Sequence, residues 1–148
     1  MRYHQGVIRI DLTDVLRNPH DDPAMRERTG MDEELFDYVL GTDGAARIVQ
    51  RASDLIRSEY ARRSHGRGPR DPKPAPVGVH VFCRGGRHRS VAIATAIREA
   101  LQGTLSTLVT HRDVTQTRRP ALTAATTAAT HAERTDDVRH GTHAGRER

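Results

Sequence analysis

The chain has 148 residues, 35% hydrophobic and only 3% aromatic, with a net charge of +5 and a mean hydropathy of −0.69. That length suits one compact domain; no run approaches the roughly 18 apolar residues of a membrane span, and Met1–Gln5 lacks the apolar stretch of a signal peptide. Cys83 is the one cysteine, which excludes an internal disulfide and an all-cysteine zinc site, so a cytoplasmic protein is expected.

Val7-Ile8-Arg9-Ile10-Asp11-Leu12 reads as a first strand, β-branched with partial alternation. Arg17–Pro23 follows as a loop that two prolines hold extended. Asp32 is placed to cap a short helix with Leu35, Phe36, Val39 and Leu40 on one face, and Gly41–Gly44 breaks it. Ala45, Ile48, Val49, Ala52, Leu55, Ile56 and Tyr60 then repeat at helical spacing, with Arg47, Arg51, Asp54 and Arg57 on other faces. Residues 62–76, rich in Pro, Gly and Arg, read as a solvated loop. Val77–Phe82 predicts a central strand, Cys83–Ser90 a Gly-rich turn, Val91–Leu101 a buried helix and Leu105–Thr110 a third strand ending at His111-Arg112-Asp113. Strand, turn, helix and strand make a βαβ unit. The expected fold is therefore α/β, a small mostly parallel sheet with flanking helices over residues 1–114. Residues 115–148 hold Leu122 and Val138 as their only larger aliphatics and are expected to be a disordered tail.

Charge is uneven along this layout: residues 1–61 carry a net −4 and residues 62–90 a net +7. The positive stretch includes the turn Cys83-Arg84-Gly85-Gly86-Arg87-His88-Arg89-Ser90, which leaves a strand and opens a helix, where open α/β sheets bind ligands. Paired glycines let successive amides point into one concavity, and the helix start adds its uncapped N–H groups and a dipole end worth roughly 0.3–1 kcal/mol toward an anion. Arg89 can donate a bidentate pair to phosphate. The alternative is a tight strand-to-helix turn with its arginines in water. Cys83 and Arg89 also stand at C-x5-R spacing followed by Ser90, which resembles the phosphate loop of cysteine-dependent phosphatases. A catalytic role for Cys83 and Arg89 is thus the alternative to binding, although Phe82 stands where that family usually has His.

A second resemblance covers more of the chain. Leu16–Pro23 with its Asn18-Pro19-His20, Arg26 to Asp32 with Thr29-Gly30-Met31, the turn Cys83-x-Gly85-Gly86-x-His88-Arg89-Ser90-Val91, and His111-Arg112-Asp113 occur in this order. Together they resemble the C-terminal domain of the RNase adapter protein RapZ over roughly residues 5–115. The resemblance implies an α/β domain that binds glucosamine-6-phosphate and takes part in recognition of small regulatory RNA. It implies that His20 joins Cys83, Gly85, Gly86, His88 and Arg89 around the sugar phosphate, with His111 and Arg112 on the same rim. Arg84, where the family commonly has Thr, and Arg87 complete the expected phosphate-binding set with Ser90. No G-x-x-x-x-G-K-[ST] occurs, so ATP or GTP is not expected.

The nine histidines match no metal-ligand spacing, and neither a metal nor another cofactor is expected. Arg62, Arg63, Arg67, Arg70 and Lys73 form a solvated loop or track a nucleic-acid backbone; the dearth of aromatics argues against base stacking, leaving phosphate contacts. Expected partners are a phosphorylated small molecule and RNA, with a homo-oligomer or a separate partner chain and no membrane.

Overall fold

A computed structural model describes residues 1–4 and 6–114. Three strands and three helices follow one another as β1 (Arg2–His4), β2 (Val7–Asp11), a 3-10 turn (Pro19–Asp21), α1 (Glu33–Leu40), α2 (Ala45–Ser64), β3 (Gly78–Phe82) and α3 (Arg89–Leu101). β2 is central. β1 pairs with it antiparallel, Tyr3 opposite Ile8, and β3 parallel, Ile8 opposite Val79 and Ile10 opposite Val81. The parallel connection is therefore made by α1 and α2 between β2 and β3, long enough for the crossover that parallel strands require.

The core forms where Ile8 and Ile10 of β2 and Leu12 just after it meet Leu35 and Val39 of α1, Ala45, Ala52 and Ile56 of α2, and Ile93, Ile97 and Leu101 of α3. The stripe on α2 runs through Ala45, Ala52, Ser53, Ile56 and Glu59, so Leu55, expected on the apolar face, sits at its exposed margin. Asp32 takes the N-cap position of α1, but its carboxylate turns back to accept from the Thr29 amide at 2.6 Å and the Thr29 hydroxyl at 2.9 Å. The first residues of the basic stretch, Arg62 to Ser64, complete α2 instead of belonging to the loop.

Glu59 near the end of α2 gathers three donors. Arg62 grips it with two bonds of 2.8 Å, Arg63 Nε donates at 2.7 Å, and Tyr3 of β1 donates at 2.7 Å. Arg63 also donates to the Gly6 carbonyl in the β1–β2 turn at 3.1 Å. The cluster ties the edge strand to α2 and holds the Glu59 carboxyl well below the usual carboxylate range, chiefly through Arg62 and then Tyr3 and Arg63.

The expected third strand is not formed: among the described residues no strand follows α3. Leu105 packs on the core and its amide bonds back to the Leu101 carbonyl, whereas Leu108 is 94% exposed. Alternation over 105–110 puts Leu105 and Val109 on one side but Leu108 on the other, so no single face pins a register against β3. The expected disordered tail, 115–148, lies outside the described residues.

Candidate functional site: the turn between β3 and α3

The turn from Cys83 to His88 carries the chain from the end of β3 to the first residue of α3. Gly86 has φ +66°, in the left-handed region. A side chain there would also collide with Asp113, whose Oδ2 lies 2.6 Å from where a Cβ would stand. Asp113 thus seals the outer wall of the turn while Arg112 bonds its carboxylate at 2.8 and 3.0 Å and lowers its pKa.

Arg89 is the decisive side chain. It is only 4% exposed, and its Nη1 donates to the carbonyls of Thr13 at 3.0 Å, Val15 at 3.1 Å and Leu16 at 3.4 Å. None of the ion pairs among the described residues includes it. A buried guanidinium satisfied by neutral carbonyls keeps its full charge in a poorly solvated place, at a cost of several kcal/mol that an anion would offset. Arg89 is the first residue of α3, so that unbalanced charge lies at a helix N-terminus that follows a Gly-rich turn.

Cys83 is half-buried, and its Sγ lies 3.3 Å from the Ser90 hydroxyl. Burial pushes the thiol up, but the Ser90 hydroxyl, the Ser90 and Gly86 amides and the Arg89 charge outweigh it and bring the thiol below its usual value. The same donors that favour a thiolate would favour an oxyanion.

His88 occupies the N-cap of α3, with its carbonyl accepting from Ala92 at 3.0 Å. Burial lowers the pKa of its ring; the carbonyls of Arg28 and Arg26 oppose that shift, while the Arg87 and His20 charges add to it. His20 therefore lies within electrostatic reach of His88. The Arg87 Nε and His88 Nε2 atoms are buried with no hydrogen-bond partner among the described residues. Below them Gly30 meets the start of α3 directly: its amide donates to the Arg87 carbonyl at 2.8 Å, and a Cβ on it would strike the His88 carbonyl.

A groove of about 1500 Å³ opens beside β3. Cys83, Arg84, Gly85, Gly86 and Ser90 border it together with His80, His111, Arg112 and Asp113, and Lys73 and Arg98 add positive charge along its length. Burial, and then Arg98, lower the pKa of His111. His20, Arg87, His88 and Arg89 are not among the residues bordering this groove. Of the expected set, Cys83, Arg84, Gly85, Gly86, Ser90, His111 and Arg112 thus border the groove, whereas Arg89 is buried and His20, Arg87 and His88 lie off it. Sequence reasoning missed Asp113, Gly30 and the Thr13–Leu16 carbonyls. The first two stand within the motif segments quoted above, whereas nothing in the sequence marks the third. Among the described residues no group of His, Cys, Asp and Glu could hold a metal ion, and no helix is long and apolar enough to cross a membrane.

The profile of the RapZ C-terminal domain family matches residues 4–115, and the turn and its neighbours fall inside that match. The chain belongs to the RapZ C-terminal domain family. Among curated relatives, a nucleotide-binding protein of Thermus thermophilus is 42% identical over 99 residues, covering 67% of this chain and 34% of the relative. Nucleotide-binding proteins of Streptomyces coelicolor (40% over 101 residues, 67% and 31% covered) and Kocuria rhizophila (37% over 99 residues, 66% and 31% covered) are similar to the same degree. The chain spans about a third of the length of the curated relatives it matches. No solved structure matches it. Within a RapZ C-terminal domain, the close contact of Gly30 with α3 and of Gly86 with Asp113 shows why each motif segment needs the others: all of them pack on the one turn.

Proposed function

We propose that residues 1–114 form a binding and regulatory domain of the cytoplasm whose β3–α3 turn holds a phosphorylated small molecule, a phosphosugar of the glucosamine-6-phosphate kind. The observation that carries this reading is Arg89, a buried guanidinium with no carboxylate partner among the described residues, at the first position of α3 after the Gly85-Gly86 turn. Charge-assisted bonds from such a group contribute roughly 1.5–3 kcal/mol each, enough to select an oxyanion over a neutral sugar. His20, Arg87 and His88 off the groove, with Arg84, Ser90, His111 and Arg112 bordering it, supply donors for the sugar and the remaining phosphate oxygens. The relatives' name, nucleotide-binding, belongs to proteins about twice as long as this chain, and no G-x-x-x-x-G-K-[ST] occurs in these 148 residues.

RNA phosphates are the second partner of this reading. Arg67, Arg70 and Lys73 lie in an exposed stretch, and Lys73, Arg84, Arg98 and Arg112 border the groove that continues from it. Calorimetry with glucosamine-6-phosphate, glucose-6-phosphate and inorganic phosphate is the direct test. Heat with the first and less with the last is expected, and no heat from any of them in folded protein refutes the site. RNA affinity should fall steeply with salt and with neutralisation of residues 67–73.

One observation favours a second reading, a cysteine-dependent phosphatase. The Cys83 thiol is turned toward thiolate by Ser90, Gly86 and Arg89. Phosphatase turnover lost in Cys83→Ser, with phosphate binding kept, would establish it; a chain that binds but never turns over leaves the first reading.

A further inference from the structure

Arg89 is placed to do more than hold an anion. A guanidinium presents five N–H donors in one rigid plane. Nη1 supplies two of them, and both point at the consecutive stretch Thr13–Leu16. The hydrogen bonds that Arg89 makes among the described residues all run from Nη1, and neither Nε nor Nη2 is a buried atom left without a partner.

The stretch they grip is strained. Leu16 has φ +68°, the one non-glycine residue with positive φ among those described, and Leu carries the Cβ that disfavours this region. A chain segment in that state persists only where its surroundings over-determine it. Here the Val15 and Leu16 carbonyls are held by Arg89, and Leu16 packs against the core. The segment then runs directly through Arg17 and Asn18 into the 3-10 turn that carries His20, whose charge acts on the His88 ring.

We infer that Arg89 is a positioning residue that couples occupancy of the turn to the conformation of residues 13–20. This inference rests on the anion reading above. An oxyanion on Nε and Nη2 fixes the guanidinium plane, and a fixed plane fixes Nη1 against the three carbonyls. The strained segment is the two-state element: when Arg89 is loosely held, Leu16 relaxes to an ordinary conformation and His20 leaves the site; when a dianion pins Arg89, the segment is locked and His20 is presented. The coupling is reciprocal, so ordering 13–20 must raise affinity for the anion. Phosphate monoesters fit this device because two or three of their oxygens can engage Nε, Nη2 and the amides of the turn at once.

The test is millisecond hydrogen exchange on the full chain with and without saturating inorganic phosphate, beside calorimetry with the same ion. Phosphate should slow exchange of the Asp14–Arg17 amides at least about fivefold, the lower end of ordinary coupling, while amides in the middle of α2 stay unchanged. In Arg89→Lys, a single ammonium cannot serve both sets of partners, and the phosphate-dependent slowing should vanish. Heat of phosphate binding with no slowing at 14–17 in the wild-type chain overturns the coupling and leaves the site standing. Slowing of equal size in Arg89→Lys overturns it too. No heat at all overturns both. If Arg89→Lys fails to fold, the wild-type comparison alone decides.

Discussion

Gly30→Ala is the sharpest test of how the turn is held. An added methyl at this position would strike the His88 carbonyl and stand 2.6 Å from the Ala92 nitrogen and 2.7 Å from the Val91 Cβ. Two of these three atoms are main chain in the first turn of α3, so no rotamer change relieves the overlap. Either α3 or the Thr29–Met31 segment must shift by about an ångström. Overpacking of this kind costs roughly 1–3 kcal/mol. The shift also breaks the Gly30 N–H bond to the Arg87 carbonyl, 2.8 Å long, for roughly another 1 kcal/mol. A total of about 2–4 kcal/mol is expected, a large share of the stability of so small a domain. Urea unfolding followed by circular dichroism measures it as a lower midpoint at unchanged slope. Gly85→Ala is the matched control, since nothing lies within 4 Å of a Cβ there. It should be neutral or slightly stabilising, because Ala narrows the unfolded ensemble. A loss below about 0.5 kcal/mol for Gly30→Ala, or equal losses for both, refutes the close packing of this segment on α3.

Ile8, fully buried on β2, should cost roughly 2–5 kcal/mol when changed to Ala, read by the same unfolding assay. Glu59→Gln should lower the unfolding midpoint at neutral pH and flatten its acid dependence: the folded carboxyl is depressed, so its stabilisation is present above the ordinary glutamate value, near 4.3, and is lost as pH falls below it toward the folded value. Iodoacetamide should alkylate Cys83 at a pH below that needed for a free thiol, and Ser90→Ala should move the rate profile to higher pH by removing a donor to the thiolate. An unmoved profile in that variant would show that Ser90 does not stabilise the thiolate.

Periodicity made much of this architecture readable. Leu35 and Val39, Ala52 and Ile56, Ile93 and Ile97 each recur at helical spacing, and their faces meet on β2. The turn was readable because glycine and arginine at those positions have few other uses. What stayed hidden depends on contacts far apart in the chain. β1 is three polar or aromatic residues with no pattern of their own, ordered by β2 and by the Tyr3 bond to Glu59, 56 residues away. Arg89 reads as a solvent-reaching phosphate clamp in the sequence, yet its Nη1 partner Thr13 lies 76 residues distant and its side chain is buried. Leu16 gives no local sign of its left-handed backbone, since propensity would put Gly or Asn there. The 105–110 segment shows the reverse failure: local β-propensity was plain, but apolar residues on both faces left it without a register.

Some residues of the proposed anion site border the groove and others do not, and Asp113 distinguishes the two seats. On the groove side, Gly86 and Ser90 stand beside Cys83, but the Asp113 carboxylate packs against Gly86 and would repel an anion there. Off the groove stand His20, Arg87 and His88, where burial keeps His88 less easily protonated than usual. A carboxylate about 6 Å from a bound charge opposes it by about 0.7 kcal/mol at the dielectric of water and about 2.8 kcal/mol at a partly buried effective dielectric of about 20. The Arg112 pair offsets part of this, so the lower end applies. Asp113→Asn keeps the shape of the wall and removes its charge. Phosphate entering by the groove should then bind about threefold or more tightly, whereas phosphate seated between His20 and His88 should show no gain. The second outcome would place the ligand beside the histidines and leave the groove, with its row of cations beside β3, to the polyanion alone.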